Sequence, residues 1–169
     1  MNEIIRDELK EELIKKLNVK EGLRNKYIER FEAYDKAKDE LFANIGSFVS
    51  DTPAKFTWTN EGVFVDICGK KFSLKGIAIL FSPAQIVLQP QIIPGGDTLE
   101  NSSFALGMFG TKIPSPFSPG LRIVYNHLSN EWRLDDPTKR SKDSDGFMVA
   151  GGEKITLEDF KRAIIGVLG

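Results

Sequence analysis

The chain changes character near Ser50. Up to Phe48 it is charged, free of proline and periodic, whereas all eight prolines fall between Pro53 and Pro137 among glycine, β-branched and aromatic residues. Proline breaks helix interiors, and β-branched and aromatic residues suit pleated sheets. The contrast predicts an α+β fold. A helical arm over residues 1–48 precedes an α+β body over residues 49–169, with an antiparallel or mixed curved sheet of five to seven strands and a C-terminal helix packed on it.

Within the arm, Ile5, Leu9, Leu13 and Leu17 recur every four residues, with Ile4 and Ile14 beside them. Tyr27, Phe31, Tyr34, Lys38, Leu41, Ile45 and Phe48 then alternate spacings of four and three, which is a heptad seam. Gly22 lies between the two stripes. Glycine is costly inside a helix and suits a left-handed cap, so the arm is one long helix or, as the glycine favours, a helical hairpin. Three aromatics and a lysine make a poor dimeric seam, so docking on the body is expected, with self-association through the arm as the second reading.

The body opens with alternation. Phe56 and Trp58 share a face, Asn60-Glu61-Gly62 is a turn, and Val63, Val65 and Ile67 are expected to return beside them as a hairpin. Gly69-Lys70 turns again into Phe72 and Leu74. Ile77 to Phe81 and Gln85 to Gln89 read as strands. Residues 94–120, punctuated by Gly95-Gly96, Pro114, Pro116 and Pro119, read mainly as loop. Leu121 to Leu128 and Trp132 to Leu134 form a second expected hairpin, Asp135 to Gly146 a solvated charged loop, and Phe147 to Ala150 a short strand. Thr156 starts the last helix, with Asp159 completing a capping box and Leu157, Phe160, Ile164 and Leu168 on its buried side.

Chemistry is sparse. Twenty-three basic and twenty-four acidic side chains give no basic excess, which argues against a nucleic-acid binder. One cysteine, Cys68, and one histidine, His127, leave no disulfide framework and no four-ligand zinc site, so no cofactor or metal is expected. The residues around Gly69-Lys70 fail the P-loop pattern, which wants glycine at 64 and serine or threonine at 71; the chain has Phe64 and Lys71 there. Asp143-Ser144-Asp145-Gly146 lacks the spacing of a calcium loop. Without a nucleophile elbow, His127 is read as a half-buried strand residue. The longest uncharged run, Gly76 to Gly96, is broken by prolines and glutamines and does not suit a membrane span. With no secretory leader at Met1-Asn2-Glu3, the expected location is cytoplasmic.

Two features favour binding over catalysis. From Gly76 to Leu121 the only charges are Asp97, Glu100 and Lys112, and Phe104, Met108, Phe109 and Phe117 crowd into that stretch. An uncharged aromatic patch sheds water cheaply, which makes these four residues the expected binding surface. Pro116 to Pro119 also has PxxP spacing. The sequence therefore reads as a non-catalytic protein-binding module, such as an adaptor, inhibitor or chaperone-like regulator, whose partner is another protein. A small-molecule or lipid carrier with a pocket between sheet and helices is the alternative, and a hydrolase with an unfamiliar site the third.

Overall fold

The structure, a computed structural model, describes residues 2–93, 101–110, 113–114, 116–117 and 122–169. Its first element is a single helix, α1 (Asn2–Val49), 48 residues long. No hairpin forms at Gly22. Glycine inside a helix costs only about 1 kcal/mol relative to alanine, which strong helix formers on both sides absorb.

Seven strands make one antiparallel sheet in the order β1 (Lys55–Thr59), β4 (Gly76–Phe81), β5 (Ala84–Ile93), β6 (Ser103–Gly110), β7 (Ile123–Asn126), β8 (Glu131–Leu134) and β11 (Lys154–Ile155). Two separate hairpins flank it, β2 (Phe64–Ile67) with β3 (Lys70–Ser73), and β9 (Ser141–Lys142) with β10 (Met148–Val149). Helix α2 (Leu157–Leu168) ends the chain. Its capping box is present: Thr156 N–H donates to Asp159 Oδ2 at 2.8 Å, and Asp159 N–H donates to Thr156 Oγ1 at 3.2 Å. Two of the helix's otherwise unpaired donors are thereby satisfied.

The expected hairpin of Phe56–Trp58 with Val63–Ile67 does not form. The turn is real, since Asn60 and Gly62 take φ of 53° and 79°, but β1 pairs with β4 while β2 pairs onward with β3. Nor is the stretch 94–120 mainly loop, because β6 runs through Ser103–Gly110 and pairs along eight residues with β5. Gly107 reads as a loop residue, yet it serves the strand. A Cβ there would meet Gln91 Nε2 at 2.6 Å and the Phe109 ring at 2.8 Å, so glycine leaves room for both side chains to lie close over the strand. The turns expected at Gly95-Gly96 and at Pro119, and with the latter the PxxP spacing, lie outside the described residues.

One core joins the helices to the sheet. It gathers Tyr27, Phe31, Tyr34, Leu41, Phe42, Ile45 and Val49 of α1 with Ile86, Leu88, Phe104, Leu106, Ile123 and Trp132 of the sheet and Phe160, Ala163, Ile164 and Val167 of α2. Alternation along β6 explains the division of its residues. Phe104 and Leu106 enter this core with Met108 packed against it, whereas Ala105 joins a small second cluster with Val124 and Ala150. Phe104 is the aromatic hub: its ring lies 5.3 Å from Tyr27, 5.1 Å edge-on from Phe31 and 5.6 Å stacked on Tyr34. Tyr34 also donates its hydroxyl proton to the Ala105 carbonyl at 2.8 Å. Lys38, the odd member of the seam, is buried, with its ammonium 2.6 Å from Asp35 Oδ1. Among the described residues, no helix is long and apolar enough to cross a membrane.

Candidate docking surface

The four residues expected to form a binding surface do not form one exposed patch. Phe104 and Phe117 are buried, at 8% and 4% exposure, so neither presents a surface. Phe117 packs 5.4 Å from Phe160 and pins the segment at Pro114 onto α2. Met108 is half-buried against the core. Only Phe109 is exposed, on the strand face opposite Phe104. Among the described residues of this region, low charge accompanies burial at Phe104, Leu106 and Phe117.

The large exposed apolar surface is elsewhere, on α1. Every residue from Glu3 to Gly22 is exposed. At a helical rise of about 1.5 Å per residue, this stretch is a rod about 30 Å long. Along it Ile5, Leu9, Leu13 and Leu17 stand 60%, 59%, 50% and 59% exposed, and Ile4, Ile14 and Val19 are exposed as well. At about 100° per residue, Ile5, Leu9 and Leu13 point in the same directions as Tyr27, Phe31, Tyr34 and Ile45, which bury against the sheet. The core face of the helix thus continues past the body, with none of the described residues covering it. A lone helix of twenty residues is marginal in water because its first turn is costly to form. Here the docked half supplies the nucleus, and the free half extends it.

Charge along this half is uneven. Residues 3–12 carry five acidic and two basic side chains, and residues 13–22 carry one acidic and three basic. The helix dipole favours acids only within the first turn. It accounts for Glu3, but not for Glu11 and Glu12, nor for Lys15, Lys16 and Lys20 in the interior of a 48-residue helix.

Two other places are chemical candidates in the sequence. His127 lies just after β7, and its Nε2 is 2.9 Å from Asp143 Oδ2. Asp143 also takes a charge-assisted hydrogen bond from Arg30 Nη2, while its other oxygen accepts from the N–H groups of Asp145 and Phe147, both at 2.9 Å. Burial alone would raise this carboxyl. The hydrogen bonds from His127 and the Phe147 N–H, the Arg30 charge and the Asp145 N–H together outweigh it and hold Asp143 below the usual carboxylate range. An ionised carboxylate only accepts, so His127 must carry its proton on Nε2. Burial depresses the imidazole, Asp143 partly opposes it, and Arg30 adds to it, with a net downward shift. The Arg30 guanidinium stacks 3.3 Å from the Phe147 ring centroid, and Lys26 pairs with Asp145.

These contacts tie residues 143–147 to α1. The stretch 135–146 is therefore not a freely solvated loop: Asp135 is buried and takes two hydrogen bonds from Arg140, at 3.0 and 2.8 Å. The enclosed space beside His127, Ser103 and Phe147 is about 20 Å³. That is room for a water, and a separate open depression of about 290 Å³ is bounded by Lys26, Glu29, Arg30, His127 and Asp145. No metal-ligating group of three or more acidic, histidine or cysteine side chains occurs among the described residues. Separately, Phe48, Val49, Pro53, Phe81, Ile164 and Leu168 line an open apolar groove of about 240 Å³ where α1 and α2 end.

Part of this was within reach of the sequence. The stripe from Ile5 to Leu17 was visible, but only the extent of the sheet reveals that it lies beyond the body. The Arg30–Asp143–His127 cluster brings α1 together with residues about a hundred positions further along the chain, and no local signal marks it. Comparison with family models, with curated proteins and with solved structures returns no match.

Proposed function

We propose that this chain is a non-catalytic protein-binding module whose docking element is the free half of α1. One observation carries the reading. Seven large aliphatic side chains stand exposed on the free half of the helix, and three of them, Ile5, Leu9 and Leu13, continue the face that the next turns bury in the core. Fully covering a leucine or isoleucine contributes about 1.5–3 kcal/mol, so leaving this stripe in water forgoes stabilisation that a partner helix would supply. Near-neutral charge argues against nucleic acid as that partner. The single thiol fits a cytoplasmic setting.

A carrier of small apolar ligands is the second reading, favoured by the groove at the ends of α1 and α2. That groove is open to solvent, and its volume is about 240 Å³. Sites for drug-sized ligands are usually larger, on the order of 300 Å³ and upwards. A hydrolase is the third. His127 and Asp143 stand as a pair, but their hydrogen bonds are spent on fastening a loop.

A photoactivatable side chain placed at Leu13 in the otherwise intact chain tests the docking reading, with one at the exposed Leu128 as control. The expected result is a discrete protein adduct from position 13 that disappears when Leu9→Asp is added, and none from position 128. Equal adducts from both positions, or none from either, would refute it.

A further inference from the structure

We infer that the free half of α1 docks on the same half of a second copy, with the two arms antiparallel. This rests on the reading of the arm as a docking element and names its occupant. The stripe Ile5-Leu9-Leu13-Leu17 runs unbroken along the arm, and helices packed at a shallow crossing of about 20° keep such stripes in contact over several turns. A copy of the same stripe is therefore a fitting partner. A two-fold axis near Glu11 sets Ile5 towards Leu17 and Leu9 towards Leu13 across the contact.

Charge decides the direction. Residues 3–12 sum to −3 (five acidic, two basic) and residues 13–22 to +2 (one acidic, three basic). Antiparallel arms lay the acidic half of each along the basic half of the other. Parallel arms would lay like on like at both ends. Interface charges act mainly by setting orientation and penalising wrong pairings, which is the role this gradient fits. The arrangement also closes. A two-fold contact uses the same surface on both copies, so the Ile5-Leu9-Leu13-Leu17 stripe is fully used by two chains.

The shape of the molecule allows it. The stripe faces the side on which the body lies, and the body begins where the free half ends, at the half-buried Leu23. An antiparallel partner arm lies beside the free half, its body beyond the opposite end. The docked half of α1 is not disturbed.

Light scattering and sedimentation on the full chain, over a concentration series reaching about 1 mM, test the inference. A concentration-dependent dimer is expected, and Leu9→Asp with Leu13→Asp should weaken it at least a hundredfold while far-UV circular dichroism and the denaturation midpoint keep the body folded. Glu8→Lys, Glu11→Lys and Glu12→Lys together should weaken the dimer about tenfold at low salt. Adding Lys15→Glu, Lys16→Glu and Lys20→Glu should restore it, because the gradient is then reversed and again complementary. Spin labels at Glu3→Cys in a Cys68→Ser background should lie on the order of 25 Å apart or more, against roughly 10 Å for parallel arms. Close labels or absence of rescue would overturn the antiparallel pairing and leave the arm as a docking element. A dimer indifferent to Leu9→Asp and Leu13→Asp would overturn both. A chain that stays monomeric, whether it then binds vesicles or a different protein, overturns the second copy as occupant.

Discussion

Two phenylalanines five residues apart on β6 offer a sharp test of how α1 is held. Phe104 is 8% exposed and touches three aromatic rings of α1, whereas Phe109 is 52% exposed on the other face of the strand. Replacing a buried phenylalanine by alanine costs about 3–5 kcal/mol, which combines lost transfer energy with a cavity. For Phe104 the upper part of that range is expected. Its neighbours Tyr27, Phe31 and Tyr34 belong to a stiff helix that cannot collapse into the space, and each aromatic pair adds about 0.5–1.5 kcal/mol within that total. For Phe109, half of whose surface stays wet, the cost should fall below about 1.5 kcal/mol. Against a typical total of about 5–15 kcal/mol, the first loss is severe and the second minor. Urea denaturation followed by fluorescence measures both. With a slope of about 2 kcal/mol/M, Phe104→Ala should lower the midpoint by about 2 M and Phe109→Ala by well under about 1 M. Equal losses for the two would mean that the rings around Phe104 do not fasten the helix, and the account of the core would fail.

Gly22→Ala should stiffen the arm, since a Cβ there meets nothing within 4 Å. Alanine gains about 1 kcal/mol over glycine in a helix. Amide exchange over residues 3–22 should slow severalfold while exchange in β5 stays unchanged; no slowing would mean the arm is not helical up to Gly22. Acid should loosen the contact between residues 143–147 and α1 in two stages. The imidazole of His127 is depressed in the folded state, so the unfolded chain binds its proton more readily and stability declines as pH drops below about 6.5. Asp143 is depressed as well, so its contribution, full above the unfolded carboxylate value, is lost as pH drops below about 4. His127→Gln should remove the first stage and leave the second, as read from denaturation midpoints between about pH 7 and pH 3; an unchanged profile would disconnect His127 from stability. Chelator and reductant should leave the melting temperature unchanged, and a drop of several degrees with chelator would expose a metal held by the aspartates near 143.

What the sequence disclosed and what it hid follow the range of the interactions. The capping box of Thr156 and Asp159 spans four residues and was readable in full. The seam from Tyr27 to Phe48 was readable up to Ile45, but Phe48 is only half-buried and Phe42 and Val49, which fall off a strict heptad, are buried instead. The turn at Asn60-Gly62 was also legible, but the partner of the strand behind it was not. Pairing of β1 with β4 depends on surfaces brought together only in the folded sheet. Gly107 misled because glycine marks a turn and a close approach equally well. The four candidate surface residues do not form one exposed patch for a related reason: absence of charge accompanies burial as readily as it accompanies binding, and alternation along β6 sets Phe104 and Met108 on one face and Phe109 on the other. The apolar stripe of the arm was plain, yet its exposure is a property of where the body stops.

Because α1 runs unbroken from the core into solvent, it fixes distance as well as contact. Leu9 stands thirteen residues before Gly22, which places it about 20 Å along the axis from the point where the helix leaves the body. Such a helix behaves as a spacer with a set bearing. Anything held at Leu9 inherits an orientation relative to the sheet, because rotating the helix would tear Phe31 and Tyr34 out of the core. Inserting or removing one residue between Gly22 and Tyr27 would turn the bound object by about 100° around the rod while moving it only about 1.5 Å. The length of that junction is thus a control on geometry separate from affinity, and it operates without altering any residue that touches the bound object.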